Sequence, residues 1–513
     1  SSQNTYRLFG KLTQKFGSEE SNEESSSATI KNAFFTIQAD YTNNKYTFLD
    51  AKHQDNLFHY GYVGKFETYK APIYQNGIVA DSATGVTYEA EILSGWADTL
   101  YTYTPGGINP GLENYTNAYY QMFSDYGMTS YMAGFAGNAN DGVIRTPADL
   151  MGQGLMNGNL PSSVYSLYGN HGYMYNGYAK QENTQTTFKA SGSADVKSHE
   201  ISFGFEFEER QDYYYGTAPM NLWGLMRQQT NKHILELDLN NPIAIYENGV
   251  FQDTIEYNRL NADLDPITGL PTAEFQSSFD RNLRESLMMN PDGVEFIDID
   301  SYDPSVFDIN FFSQDELLNN GSSVVYYYGY DIYGNKTTEN NTLNDFFEHK
   351  MDGNNTRNIA PYNPIYQAGY IQDKFAIEDL IFNIGLRIDR FDANQKVLSD
   401  KYLLYASHTA DTDYGLAASG GSHPSTIGDD FVVYVDDFSA VNPVTVGYRN
   451  GDVWYNADGI EISDPLLLAE AAGGKIQPYI INADDATEGN VKVDEVFEDY
   501  SPETVFMPRI AFS

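Results

Sequence analysis

The sequence predicts an all-β fold, a transmembrane antiparallel β-barrel of which it holds only part, with large extracellular loops. Three observations carry that expectation. From Ile365 to Asp392 the chain reads as two strands joined by a very short turn: Leu380, Phe382, Ile384, Leu386 and Ile388 point one way, Asn383, Gly385, Arg387 and Asp389 the other. A soluble sandwich strand alternates too, but a tilted membrane strand needs about 9 to 11 residues, and a face that lines water is polar, as Arg387 and Asp389 are. Only 41% of the residues are hydrophobic, and no run of ~18 apolar residues could cross as a helix, so a spanning chain would have to cross as strands. Finally, 42 Tyr and 30 Phe against 3 Trp give the aromatic weight of barrel girdles or of carbohydrate-facing surfaces.

In chain order, residues 1–43 hold the first pair of strands. Tyr6, Leu8, Leu12 and Phe16 oppose Arg7, Lys11 and Lys15 over 5–17; after the polar GSEESNEESSS, Ala33, Phe35, Ile37, Ala39 and Tyr41 oppose Thr36, Gln38 and Asp40 over 31–43. The hairpin 184–213 follows, with Phe188–Val196 and then Ile201, Phe203, Phe205 and Phe207 alternating with Ser202, Gly204 and Glu206. The hairpin 365–392 and a final strand from 504 to 513 complete the set. Short connections on one side leave three blocks, 44–183, 214–364 and 393–503, on the other. Each is far longer than the ~12 to 15 residues of an unstructured loop, so each must fold. The first carries strand-like runs at Phe58–Thr68 and Val86–Trp96. The second carries a helix at Met220–Lys232, with Leu222, Leu225 and Met226 at helical spacing, and a strand-like VVYYYGYDIYG at 324–334. The third carries a hairpin through Phe431–Val435 and Val444–Tyr455.

Acidic residues number 71 against 30 Lys plus Arg, and a net charge of −41 excludes nucleic acid as a partner, whose phosphates demand a basic face. Such an excess also keeps exposed loops solvated. The absence of Cys excludes disulfides and thiolate metal sites. The sequence opens without an apolar export segment and closes inside an alternating strand, so it is expected to be an internal piece of a longer protein.

Two kinds of candidate site stand out. Asp263 with Asp265, and Asp298, Asp300 and Asp303, have the oxygen ligands that a hard cation such as calcium takes, although neither group fits a 12-residue calcium loop. Asp-Pro at 265–266 and 303–304 is equally a turn signal. Tyr213, Tyr214 and Tyr215 beside Trp223, and Tyr326, Tyr327, Tyr328 and Tyr330, could stack on a sugar or peptide or extend an interfacial girdle. Arg387 and Asp389 could pair across a lumen to hold a plug, or form part of a structural polar ladder. Enzyme chemistry has weak support: carboxylates are abundant enough to supply a glycosidase pair, but no local motif fixes an acid and a base at a defined separation, and there is no H-E-x-x-H and no G-x-S-x-G.

AGYIQDKFAIEDLIFNIGLRIDRFD resembles a recurrent hairpin of the TonB-dependent outer-membrane receptors, in particular the large kind of Bacteroidota. KLTQKFG, KNAFFTIQADY, DNLFHYGYVGKFETYK, ASGSADVKSHEISFGFEFEERQDYYY and ETVFMPRIAFS are similar to that family as well. The resemblance implies a barrel of about 22 strands in outer-membrane lipid, loops at the cell surface, and active uptake driven by the TonB energy complex through a plug that these residues do not contain. A surface lipoprotein would be a possible partner, and no cofactor is implied. The acidic loops favour a glycan or peptide over an anionic ferric siderophore. The alternatives are a non-transporting surface scaffold in an assembly or secretion complex and a secreted glycan-active enzyme.

Overall fold

A computed structural model describes residues 1–16, 30–80, 86–125, 156–160, 174–247, 250–259, 276–337, 341–348, 350–351, 354–471, 474, 476–488 and 491–513. In chain order the strands are β1 (Ser2–Phe16), β2 (Ile30–Phe48), β3 (Gly64–Ala80), β4 (Thr87–Pro105), β5 (Tyr178–Val196), β6 (His199–Thr217), β7 (Leu237–Glu247), β8 (Val250–Arg259) and β9 (Val325–Tyr328). Then come β10 (Lys350–Met351), β11 (Asn354–Asn355), β12 (Ile365–Ile377), β13 (Leu380–Asp392), β14 (Lys396–Leu398), β15 (Val432–Val435), β16 (Thr445–Asn450), β17 (Val453–Asn456), β18 (Glu461–Ile462), β19 (Gln477–Pro478), β20 (Phe497–Asp499) and β21 (Glu503–Phe512).

The strands read from period-2 alternation form one antiparallel sheet in the order β1-β2-β5-β6-β12-β13-β21, with β9 extending the far end of β6. Neighbours in sequence are neighbours in space, so the sheet is a meander interrupted by long excursions. It does not close on itself: β1 and β21 are its open edges among the described residues, and Pro508, which has no N–H to give a ladder, sits in an edge strand. What the structure establishes is thus a large open antiparallel sheet in a mostly β chain.

Register gives the sheet two unlike faces. Leu12 lies opposite Ile37, Ile37 opposite Ala190, Ala190 opposite Phe205, Phe203 opposite Ile371, Ile371 opposite Leu386, and Ile388 opposite Phe506. One apolar band therefore crosses all seven long strands. Nothing among the described residues covers it: Leu8 is 72% exposed, Phe203 55%, Ile371 56% and Ile510 72%. The opposite face carries a hydrogen-bonded charge ladder. Arg7 Nη2 lies 3.0 Å from Asp40 Oδ1, Lys189 Nζ 2.5 Å from Glu206 and Lys374 Nζ 3.1 Å from Glu200. Arg387 Nε lies 2.7 Å from Asp389, and the Tyr366 hydroxyl accepts from Arg387 (2.9 Å) and donates to Asp389 (2.8 Å).

At one end of the sheet the connections are tight, Lys197–Ser198 between β5 and β6 and Glu378–Asp379 between β12 and β13. At the other end the strands run into folded blocks. Tyr178 and Tyr215, from the outer ends of β5 and β6, join Phe58, Tyr62, Trp223, Phe279, Leu283 and Phe307 in the largest buried core. The helix Met220–Gln229 places Leu222, Trp223, Leu225 and Met226 in that core, which accounts for its apolar spacing. The hairpin β3-β4 begins at Gly64, after a 3₁₀ turn at Leu57–His59, rather than at Phe58. Residues 393–503 include a separate sheet, β18-β17-β16-β15-β19, with two small cores of its own around Val433 and Trp454.

Candidate functional site

Because β6, β12, β13 and β21 lie side by side, the segments that enter and leave their far ends are brought together although they are distant in sequence. Tyr362, just ahead of β12, exchanges two backbone hydrogen bonds with Asp212 of β6, at 2.8 and 3.1 Å. Tyr500, just ahead of β21, donates its N–H to the Gln395 carbonyl at 3.0 Å, and Lys396 pairs with Asp499 at 3.1 Å. Between these segments, β9 and the helix Leu343–Glu348 opens a cleft of about 1190 Å³. Phe346, Tyr328, Tyr362 and Tyr500 supply its apolar faces, and carboxamides, among them Asn341, Asn358 and Asn363, supply hydrogen-bonding groups. Ligand sites commonly have this make-up, apolar walls with a few placed polar groups.

The aromatic residues singled out by sequence divide into three roles. Trp223 is fully buried, its Nε1 donating to the Tyr60 carbonyl at 3.1 Å and its ring packed on Tyr62 and Phe307. Tyr327 is buried too and donates its hydroxyl to the Arg357 carbonyl at 2.6 Å, while burial pushes its pKa upward. Both are core residues and correct the expectation of ligand contact, since a ring sealed in a core has no face to offer. Tyr213 lies on the other face of the sheet, with Lys336 Nζ 3.9 Å above its ring. Tyr214 stacks on Tyr328 at 5.8 Å, and Tyr328 is the one expected residue that lines the cleft.

The expected cation sites fare differently. Asp263 and Asp265 lie outside the described residues. Asp300 is buried and receives both Nε and Nη2 of Arg227 at 2.7 Å, with Asn157 Nδ2 at 2.9 Å. Asp298 caps a 3₁₀ turn by accepting from the Asp300 N–H and takes the Thr68 hydroxyl at 2.6 Å. Asp303 caps the next turn, and its hydrogen bonds from Ser305 hold its carboxyl below the usual range. These carboxylates serve caps and an ion pair instead of converging, and no three His, Asp or Glu side chains gather as metal ligands among the described residues.

Sequence reasoning missed Asn341, Tyr362, Asn363 and Tyr500. The one local signal was the Asn- and Pro-rich stretch NTRNIAPYNP at 355–364, immediately ahead of a strand. In comparisons with known proteins, no family model, no curated protein and no solved structure matches the chain.

Proposed function

We propose that this chain supplies part of the wall and the outside blocks of an outer-membrane β-barrel receptor of the TonB-dependent kind, and that it binds a nutrient, glycan or peptide, for active uptake. The observation that carries this reading is the two-faced sheet. Strands of 13 to 19 residues in β1, β2, β5, β6, β12 and β13 exceed the ~9 to 11 that a bilayer needs. Their uncovered apolar band suits acyl chains, and the charge ladder suits a water-filled interior. An apolar surface running across seven strands would be a severe liability in water. In lipid it needs no partner.

The lack of cysteine makes a direct test clean. Single substitutions Ala190→Cys and Leu386→Cys probe the apolar face, and Ser191→Cys and Ser202→Cys the polar one, in intact outer membranes treated with a charged maleimide. Labelling at 191 and 202 with protection at 190 and 386 is the expected result. Equal labelling on both faces would overturn the membrane reading.

A further inference from the structure

The 393–503 block joins the wall through a ladder with a gap in it. Pairing between β13 and β21 ends at Phe391 with Glu503 and resumes between β14 and β20 from Lys396 with Asp499, a neck of three residue pairs. The gap holds Asn394 at φ 50°, in the left-handed region, on one strand and Pro502, which has no N–H for a ladder, on the other. A few residues at the ends of elements, released from a ladder, are what a hinge between rigid bodies requires.

Beyond the neck the block is self-contained. Both of its cores, around Val433 and Trp454, are built from its own residues among those described, and Arg449 with Asp400, Lys401 with Asp452 and Lys492 with Asp485 pair within it. Among the described residues no ion pair crosses from it to 214–364. One ring contact does, Phe347 with Phe497, their centroids 6.4 Å apart. The space between the two bodies is the cleft of about 1190 Å³, with Asn358 and Tyr362 on one side and Asp494 and Tyr500 on the other. Bodies joined by so small an interface move relative to one another, whereas a large apolar interface would hold them.

We propose that the 393–503 block is a lid: it swings as a rigid body about residues 393–395 and 500–502, is held shut by Phe347 against Phe497, and so sets access to the cleft. The lid goes beyond the uptake reading and does not depend on a membrane, so its failure leaves the cysteine-labelling pattern untouched. The test is double electron–electron resonance on the full chain, spin-labelled at introduced cysteine pairs. Ser286→Cys with Ser439→Cys, and Ser286→Cys with Ser463→Cys, span the two bodies, and Ser439→Cys with Ser463→Cys lies within the block; all three positions are exposed. The spanning pairs are expected to give broad or two-peaked distances and the internal pair a single narrow one. Phe347→Ala, at a half-buried position, removes the latch and is expected to raise the less populated spanning distance about threefold. A maleimide should also react with Asn358→Cys about threefold faster in the Phe347→Ala background. Spanning distances as narrow as the internal one would overturn the lid, as would an internal pair equally broad. Distances and labelling rates indifferent to Phe347→Ala would overturn it as well.

Discussion

Asp300 shows how a residue's neighbours decide its role. The bidentate contact with Arg227 makes it the anchor between the helix Met220–Gln229 and the 3₁₀ turn Ile299–Ser301. Asp300→Asn leaves a mostly buried guanidinium without its counter-charge, and we expect a loss of roughly 3–5 kcal/mol, read as a lowered thermal midpoint. His408 gives a pH-dependent counterpart. It is buried against Tyr414 and Tyr479, with ring centroids at 4.9 and 4.7 Å, and burial lowers its pKa from 6.5. The neutral ring is the form the fold favours. Its contribution is therefore present above pH 6.5 and is lost as pH falls through the lowered pKa. The near-UV circular dichroism of the protein should weaken between pH 7 and 5. His408→Phe should reduce that slope without abolishing it, because His59, lowered by its burial and by His53, acts with the same sign.

At the scale of elements, strands were legible and their turns less so. Period-2 alternation survives in β12 and β13 because each face meets a single environment along the whole strand. The run Tyr213–Tyr215 shows what a segment reading loses. Consecutive strand residues point to opposite faces, so Tyr213 meets Lys336, Tyr214 stacks on Tyr328 across the sheet, and Tyr215 enters the core. The two short turns carry a cost visible only in the structure: Lys197 and Glu378 sit at φ 58° and 54°, in the left-handed region. Lys197→Gly and Glu378→Gly should each raise stability by up to about 1 kcal/mol, seen as a higher urea midpoint. The faces themselves can be tested by a charge. On the proposed membrane reading, Leu386→Arg on the apolar band is expected to cost about 2–4 kcal/mol of stability in a bilayer, whereas Ser202→Arg on the polar face should cost far less.

Across the whole molecule, every tight turn described lies at one end of the sheet and every large block at the other. The order of the strands was legible because sequence neighbours pair, but the cleft was not. Tyr328, Tyr362 and Tyr500 are far apart in the chain and meet only because β6, β12, β13 and β21 are adjacent in the sheet. No local pattern encodes that meeting. On the proposed barrel reading the same asymmetry predicts sidedness, since a barrel with brief turns on the periplasmic side presents its folded blocks at the cell surface. Val441, 95% exposed in the 393–503 block, and the turn Glu378–Asp379 are the two places to insert an epitope. On intact cells an antibody should reach the epitope after Val441 and should miss the one between Glu378 and Asp379 until the outer membrane is opened. Equal access to both before opening would place the two ends of the sheet on the same side of the membrane, and a spanning sheet could not then be maintained.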